Sequence, residues 1–233
     1  TGGAGFIGSH TCLALLERGY NVYVIDSFIN SSPKSLDSVL NIFNKNNHNS
    51  NFNLTIFKGD LRDKKFVEKV FSDIYKVNNK VDGVIHFAGL KSVIESKINP
   101  LLYWNTNILG TLNLLEIMNT YQCNNFVFSS SATVYAQTQN LLLKEHSDTG
   151  PINPYGNTKL TVEKLLEDIF NSQADKWNIF NLRYFNPIGA HSSGMIGENP
   201  SGFPNNIFPI ILQVAFGKIK ELKIFGNDWP THD

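Results

Sequence analysis

The chain opens Thr1-Gly2-Gly3-Ala4-Gly5-Phe6-Ile7-Gly8, which reads as G-x-x-G-x-x-G from Gly2 and as G-x-G-x-x-G from Gly3. Glycines at these spacings let the backbone turn tightly at the end of a strand and let its N–H groups approach a pyrophosphate. They also let a helix start close to the sheet with its positive end toward the phosphates. The pattern is weak evidence alone and gains weight from the residues on its C-terminal side. Residues 6–18 (FIGSHTCLALLER) carry apolar side chains at helical spacing with Gly19 as the stop. Residues 22–25 (VYVI) form a buried-strand run leading into Asp26, eighteen residues past Gly8. A carboxylate there accepts hydrogen bonds from a ribose and repels a 2′-phosphate, so the cofactor expected is NAD rather than NADP. Such a loop follows a strand and none precedes Thr1 in this sequence, so the chain reads as truncated at its start.

The remainder alternates. Helices are predicted at about 34–44, 64–76, 101–121 and 155–170, and strands at 54–58, 82–87, 125–129 and 178–184. The run 41–53, in which seven of thirteen residues are Asn, reads as a surface loop. Strand and helix at this spacing predict an α/β fold: a doubly wound parallel sheet with helices on both faces. After Asn186-Pro187 the texture turns to Gly, Pro, Ser and Asn, before an apolar stretch at 206–216 and a short strand at 222–225. A boundary therefore falls near 187, with a dinucleotide-binding domain at 1–187 and the start of an incomplete substrate domain at 188–233. Charge is balanced, 20 Lys+Arg against 20 Asp+Glu, which argues against nucleic acid or an anionic membrane as partner. No apolar run reaches the ~18 residues of a bilayer span. Cys12 and Cys123 lie far apart without C-x-x-C spacing, which excludes a thiolate zinc site and suits a reducing compartment, by default the cytoplasm.

Two further strand ends supply candidates. At Gly59-Asp60-Leu61 a carboxylate can reach an adenine amino group, and His86-Phe87-Ala88-Gly89 falls beside the phosphate crevice. His86 itself reads as a core histidine, since no second metal ligand sits near it in sequence. Tyr155 and Lys159 have Y-x-x-x-K spacing on a predicted helix and so share one face a turn apart. The ammonium, reinforced by the positive ring of NAD+, is expected to lower the phenol pKa so that Tyr155 acts as a base near neutral pH. Ser131, at the end of Ser129-Ser130-Ser131, is placed to hydrogen-bond the same substrate hydroxyl from the other side.

Thr1-Gly2-x-x-Gly5-x-x-Gly8 with Tyr155-x-x-x-Lys159 is similar to the extended short-chain dehydrogenase/reductase superfamily. Several longer motifs resemble the UDP-glucose 4-epimerase family within it: His86-Phe87-Ala88-Gly89-Leu90-Lys91, Ser129 to Tyr135, Arg183 to His191, Pro204-Asn205-Asn206 and Ile224 to Asp228. The resemblance spans the whole chain. It implies dinucleotide contacts from Gly2, Gly5, Phe6, Ile7, Gly8, Asp26, Asn30, Ser31, Asp60, Leu61, Phe87, Ala88, Gly89, Lys91, Lys159 and Phe185. It implies substrate contacts from Ser131, Tyr155, Asn186, Asn206, Ile207, Lys223, Ile224 and Phe225, with Ser131, Tyr155 and Lys159 catalytic. Thr106 stands where some members place a cofactor-contacting Asn; it is carried as a cofactor residue, with Asn107 beside it as a substitute.

The activity implied is interconversion of UDP-glucose and UDP-galactose by a homodimer serving galactose metabolism. Tyr155 takes the 4-hydroxyl proton, C4 gives hydride to tightly bound NAD+, and the transient 4-keto sugar turns and is reduced on its other face. A nucleotide-sugar 4,6-dehydratase shares the loop, Tyr and Lys, but members resembling this family supply Asp-Glu where this chain has Ala132-Thr133. UDP-N-acetylglucosamine or UDP-xylose 4-epimerisation, and an NAD-binding module without catalysis, stand as further alternatives.

Overall fold

The structure, a computed structural model, describes residues 1–46, 53–138, 142–200, 204, 206–224 and 226. The short apolar runs form strands β1 (Val22–Asp26), β2 (Leu54–Lys58), β3 (Val84–His86), β4 (Asn125–Ser131) and β5 (Asn178–Tyr184). Helix α1 (Phe6–Glu17) precedes β1, and α2 (Pro33–Asn46) and α3 (Lys64–Asn78) flank β2. Between β3 and β4 lie α4 (Val93–Ile98), α5 (Pro100–Trp104) and α6 (Gly110–Thr120). The long α7 (Pro154–Ser172) leads into β5, and α8 (Ile207–Ala215) follows it. All strand pairs are parallel, with Val22 opposite Leu54, Val84 opposite Phe126 and Ser131 opposite Tyr184. The fold is Rossmann-like, parallel sheets with flanking helices, as predicted.

The single predicted sheet is, among the described residues, two: β1-β2 and β3-β4-β5. No described segment lies between β1 and β3 to pair with both, and a cavity of about 610 Å³ separates them, lined by Val22, Val24, Val84, Ile85 and Phe126. The glycine loop bridges its end. Gly2 N donates to Ile25 O at 2.8 Å, Thr1 N to Ile85 O at 2.8 Å, and Phe87 N to Thr1 O at 3.1 Å.

Other departures are local. The predicted helix 101–121 is broken into α5, a π-turn (Asn105–Leu109) and α6. Helix α4, six residues long and capped by Ser92, was too short to show in the periodicity. The predicted strand 82–87 contracts to β3 because Asp82 and Gly83 are exposed and outside the pairing. Of the predicted strand 222–225, residues 222–224 are irregular and exposed, and Phe225 lies outside the described residues.

Helix starts follow their caps. Asp63 accepts from Phe66 N at the head of α3, and Asn153 accepts from Gly156 N at 2.8 Å, with Pro154 pre-set for the first turn of α7. Apolar faces close into two clusters. Leu13, Leu16, Val24, Leu36 and Phe43 join α1 and α2 to β1 and β2, while Val67, Leu114, Phe126, Phe128 and Leu166 join α3, α6 and α7 to β4. Each such side chain contributes about 1.5–3 kcal/mol by leaving water. Ile196, from the segment after β5, is buried in the first cluster. No helix among the described residues is long and apolar enough to cross a membrane.

Candidate active site

The glycine loop is built as the spacing requires. Gly2 has φ +68, and a Cβ there would stand 2.5 Å from Ala88 N and 2.8 Å from the Phe87 carbonyl carbon. At Gly8 a Cβ would run into the Gly2 carbonyl oxygen and stand 2.8 Å from Gly3 Cα, so α1 enters in direct contact with the turn. Gly5 caps α1 without a side-chain bond and no acid stands in the first turn, so the leading N–H groups at Phe6 and Ile7 are left for an anion.

Asp26, buried at the end of β1, ties this loop to the next turn. Its Oδ2 accepts from Ala4 N at 3.0 Å and its Oδ1 from Phe28 N and Ser31 Oγ, both at 2.9 Å. A carboxylate has about four acceptor positions, so capacity remains for a ribose hydroxyl. Phe28 completes this turn at φ 57, an uncommon conformation for a bulky side chain. Asn30, beyond it, is exposed. Asp60, expected at the adenine, is already gripped by Arg62, whose Nη2 lies 2.7 Å from Oδ2 and whose Nε lies 3.1 Å from both oxygens. The guanidinium hydrogen bonds hold the Asp60 carboxyl below the usual range. Leu61 is buried, its carbonyl accepting from Asn113 at 2.9 Å.

The Phe87-Ala88-Gly89 crossing is held by a residue that the resemblance placed only second. Asn107, turned inward by the π-turn, accepts from Leu90 N at 2.8 Å and donates to Leu90 O at 3.1 Å and to Thr158 Oγ1 at 3.0 Å. Thr158 in turn donates to Tyr155 O at 2.7 Å. Thr106 is half-buried beside it, and Lys91 is exposed. His86 is buried with both ring nitrogens bonded, Nδ1 to Thr1 Oγ1 at 2.7 Å and Nε2 to Thr111 Oγ1 at 2.9 Å. Because Thr111 donates to Asn107 O at 2.6 Å, it accepts from Nε2–H, which fixes one neutral tautomer. Burial first, then the Lys159 charge, keeps the His86 pKa well below its usual value.

Ser131, Tyr155 and Lys159 converge at the carboxyl end of β4, all buried. Lys159 Nζ donates to Ser129 O at 2.8 Å and lies 4.8 Å above the Phe128 ring; burial pulls its pKa down to about 8. The Tyr155 ring centroid is 5.9 Å from that nitrogen. Burial raises the Tyr155 pKa and the Ser131 hydroxyl opposes the rise. The lowering expected from Lys159 is not seen, because its ammonium is turned to a backbone carbonyl and desolvation dominates. Ser131 Oγ also accepts from Thr133 N at 3.2 Å and Thr133 Oγ1 at 3.0 Å. The sequence reading missed Tyr103, fully buried with its ring edge-on to Tyr155 at 6.5 Å and its hydroxyl donating to Glu95 at 2.8 Å.

Phe185, expected at the cofactor, and Asn186, Ile207, Lys223 and Ile224, expected at the substrate, are exposed, and Asn206, also exposed, donates to Glu198. Phe225 lies outside the described residues. Phe185 packs its ring 6.2 Å from Tyr135. The loop half of the site nonetheless fits a dinucleotide: a cradle that any Cβ would fill, an uncapped helix start, and a buried carboxylate with acceptor capacity at the adjoining strand end.

A glycine loop and a Ser-Tyr-Lys cluster, set at the carboxyl ends of parallel strands, define the short-chain dehydrogenase/reductase class. The family model described as GDP-mannose 4,6 dehydratase matches residues 1–233, and the chain belongs to that family of extended short-chain dehydrogenases/reductases. It is 50% identical over 233 residues to UDP-glucose 4-epimerase 2 of Arabidopsis thaliana, covering all of this chain and 64% of that protein. The UDP-glucose 4-epimerase of Bacillus subtilis (strain 168) is 47% identical, with all of this chain and 65% of that protein covered. The chain thus spans a little under two thirds of the length of these relatives. The crystal structure of UDP-glucose 4-epimerase from Bifidobacterium longum in complex with NAD+ and UDP superposes with a TM-score of 0.88 at 43% identity, covering 100% of this chain and 66% of that one.

Proposed function

We propose that the protein is an NAD-dependent isomerase that interconverts UDP-glucose and UDP-galactose at C4 of the sugar, in galactose metabolism. The observation that carries this reading is the convergence of Ser131, Tyr155 and Lys159 at the end of β4, in a chain about half identical to UDP-glucose 4-epimerases. The chain contributes an NAD-binding domain at 1–187 and the beginning of a substrate-binding domain at 188–233.

Gly2, Gly5, Phe6, Ile7 and Gly8 would hold the NAD pyrophosphate at the start of α1, Asp26, Asn30 and Ser31 a ribose, and Asp60 and Leu61 the adenine. Phe87, Ala88, Gly89, Lys91, Thr106, Lys159 and Phe185 would line the rest of the cofactor. When bound, NAD supplies reversible hydride transfer at the sugar C4. Tyr155 Oη removes the proton of the 4-hydroxyl and later returns it to the same oxygen, while Ser131 Oγ holds that oxygen in place. Lys159 stays largely protonated at neutral pH with its pKa near 8, and its charge favours the phenolate as the proton moves. Asn186, Asn206, Ile207, Lys223, Ile224 and Phe225 would close on the UDP-sugar.

Elimination of water, as in a 4,6-dehydratase, needs a further acid/base pair beside the serine. The turn after Ser131 offers Ala132 and Thr133, which do not titrate in water, so the epimerase reading is preferred. Two free, buried cysteines suit the cytoplasm, and exposed Ile94, Ile98 and Leu101 on α4 and α5 suit a homodimer. Tyr155→Phe removes the proton acceptor and keeps the ring, so UDP-galactose turnover should fall by about 10²-fold or more with NAD still bound. A variant keeping over about a third of the parent rate would exclude Tyr155 as the base.

A further inference from the structure

Behind the groups that face the reacting oxygen, α7 buries an ion pair. Glu163 lies four residues past Lys159 and eight past Tyr155, on the same helix face, and is 6% exposed. Its carboxylate accepts from Ser130 Oγ and from both prongs of Arg183 on β5, Nε to Oε1 at 3.0 Å and Nη2 to Oε2 at 2.7 Å. Arg183 also donates through Nη1 to Glu145 O at 2.8 Å and stacks 4.8 Å over the Tyr135 ring. One pair therefore joins α7, the ends of β4 and β5, and the turn that follows β4.

Stability is a poor account of it, since a buried ion pair replaced by packed apolar groups often costs nothing or gains stability. Geometry is a better one. Ser130 stands between Ser129, whose carbonyl holds Lys159, and Ser131, whose hydroxyl acts on Tyr155. A two-pronged Arg–carboxylate pair fixes both distance and orientation where apolar contact would let the strand end shift along the helix. We propose that Glu163 and Arg183 are positioning residues, clamping the ends of β4 and β5 to α7 so that the Ser131 hydroxyl and the Lys159 amine stay directed at Tyr155. This rests on the catalytic roles assigned above and deepens them.

The test is the double variant Glu163→Gln/Arg183→Met in the protein carrying this sequence. It removes one anion and one cation, leaving local net charge unchanged, and Gln can still accept from Ser130. Lys159, whose amine lies 5.9 Å from the Tyr155 ring, and Glu95, bonded to the Tyr103 that packs against Tyr155, are untouched. A shift at Tyr155 then reports geometry. Thermal unfolding, bound NAD, kcat and KM for UDP-galactose are measured, together with the Tyr155 phenolate titration taken as a difference from Tyr155→Phe. Expected are an unfolding midpoint, NAD content and KM close to the parent's, kcat lower by about tenfold or more, and the phenol titrating at higher pH. Arg183→Lys, which keeps the charge and loses the fork, should fall between, and it decides the matter by the same readouts if the double variant does not fold. Parent-like kcat and titration would overturn the proposal, as would a kcat loss that only tracks lost stability or lost NAD. If the parent itself converts no UDP-sugar, the epimerase reading fails, and the Tyr155 titration still decides the clamp.

Discussion

Asp26 accepts three hydrogen bonds, from Ala4, Phe28 and Ser31, so it organises the glycine loop and the turn after β1 at once. Asp26→Ala should weaken NAD binding by about tenfold or more while NADP, no longer repelled at its 2′-phosphate, loses less. Dissociation constants for both cofactors check this, and an unchanged ratio would refute the assignment. Lys159 carries a different signature. Burial sets its folded pKa near 8 against an ordinary 10.5, so between those values the unfolded chain binds more protons and stability rises with pH. The charging penalty is full below about pH 8 and gone above about 10.5. Lys159→Met should therefore raise the unfolding midpoint of cofactor-free protein at pH 7, by an amount worth roughly 1–3 kcal/mol, with the gap closing toward pH 10. A variant less stable than the parent at pH 7 would contradict the sign. Helical spacing made Tyr155 and Lys159 legible in the sequence. It could have found Glu163 by the same rule, one turn on, but not the raised Tyr155 pKa, because burial and the turn of Lys159 toward Ser129 are tertiary facts.

At the scale of elements, the π-turn between α5 and α6 has the most consequence. It directs Asn107 inward to hold Leu90 and Thr158, linking the crossing after β3 to the start of α7. Asn107→Leu leaves the Leu90 backbone groups buried or half-buried without that partner, which should cost about 2–4 kcal/mol. Thermal unfolding of the variant measures it, and a change under about 0.5 kcal/mol would show the contact to be dispensable. Alternating strands and helices were visible because apolar runs of four to seven residues and longer amphipathic stretches have distinct periods. The π-turn was not, since a single wider turn carries no composition signal of its own, and only the structure shows Asn107 turned inward. The exposed residues 222–224 resembled a strand only through composition; nothing described pairs with them.

In the molecule as a whole, parallel strands bring every loop that matters to one edge. β1 ends at Asp26, β3 at His86 ahead of Phe87 and Ala88, and β4 at Ser131, with Thr1 and Gly2 hydrogen-bonded across from one sheet to the other. That gathering follows from topology and was legible in the order of motifs. The central claim is that this edge removes and restores a proton at the sugar 4-oxygen while the C4 hydrogen leaves and returns within one closed site. The direct measurement is conversion of UDP-galactose carrying deuterium at C4 by the full protein that carries this sequence, loaded with NAD, with the product read by mass spectrometry and NMR. The account predicts UDP-glucose that keeps its deuterium at C4 and gains no hydrogen there from water; exchange of C4 with solvent, or a 4-keto-6-deoxy product, would contradict it.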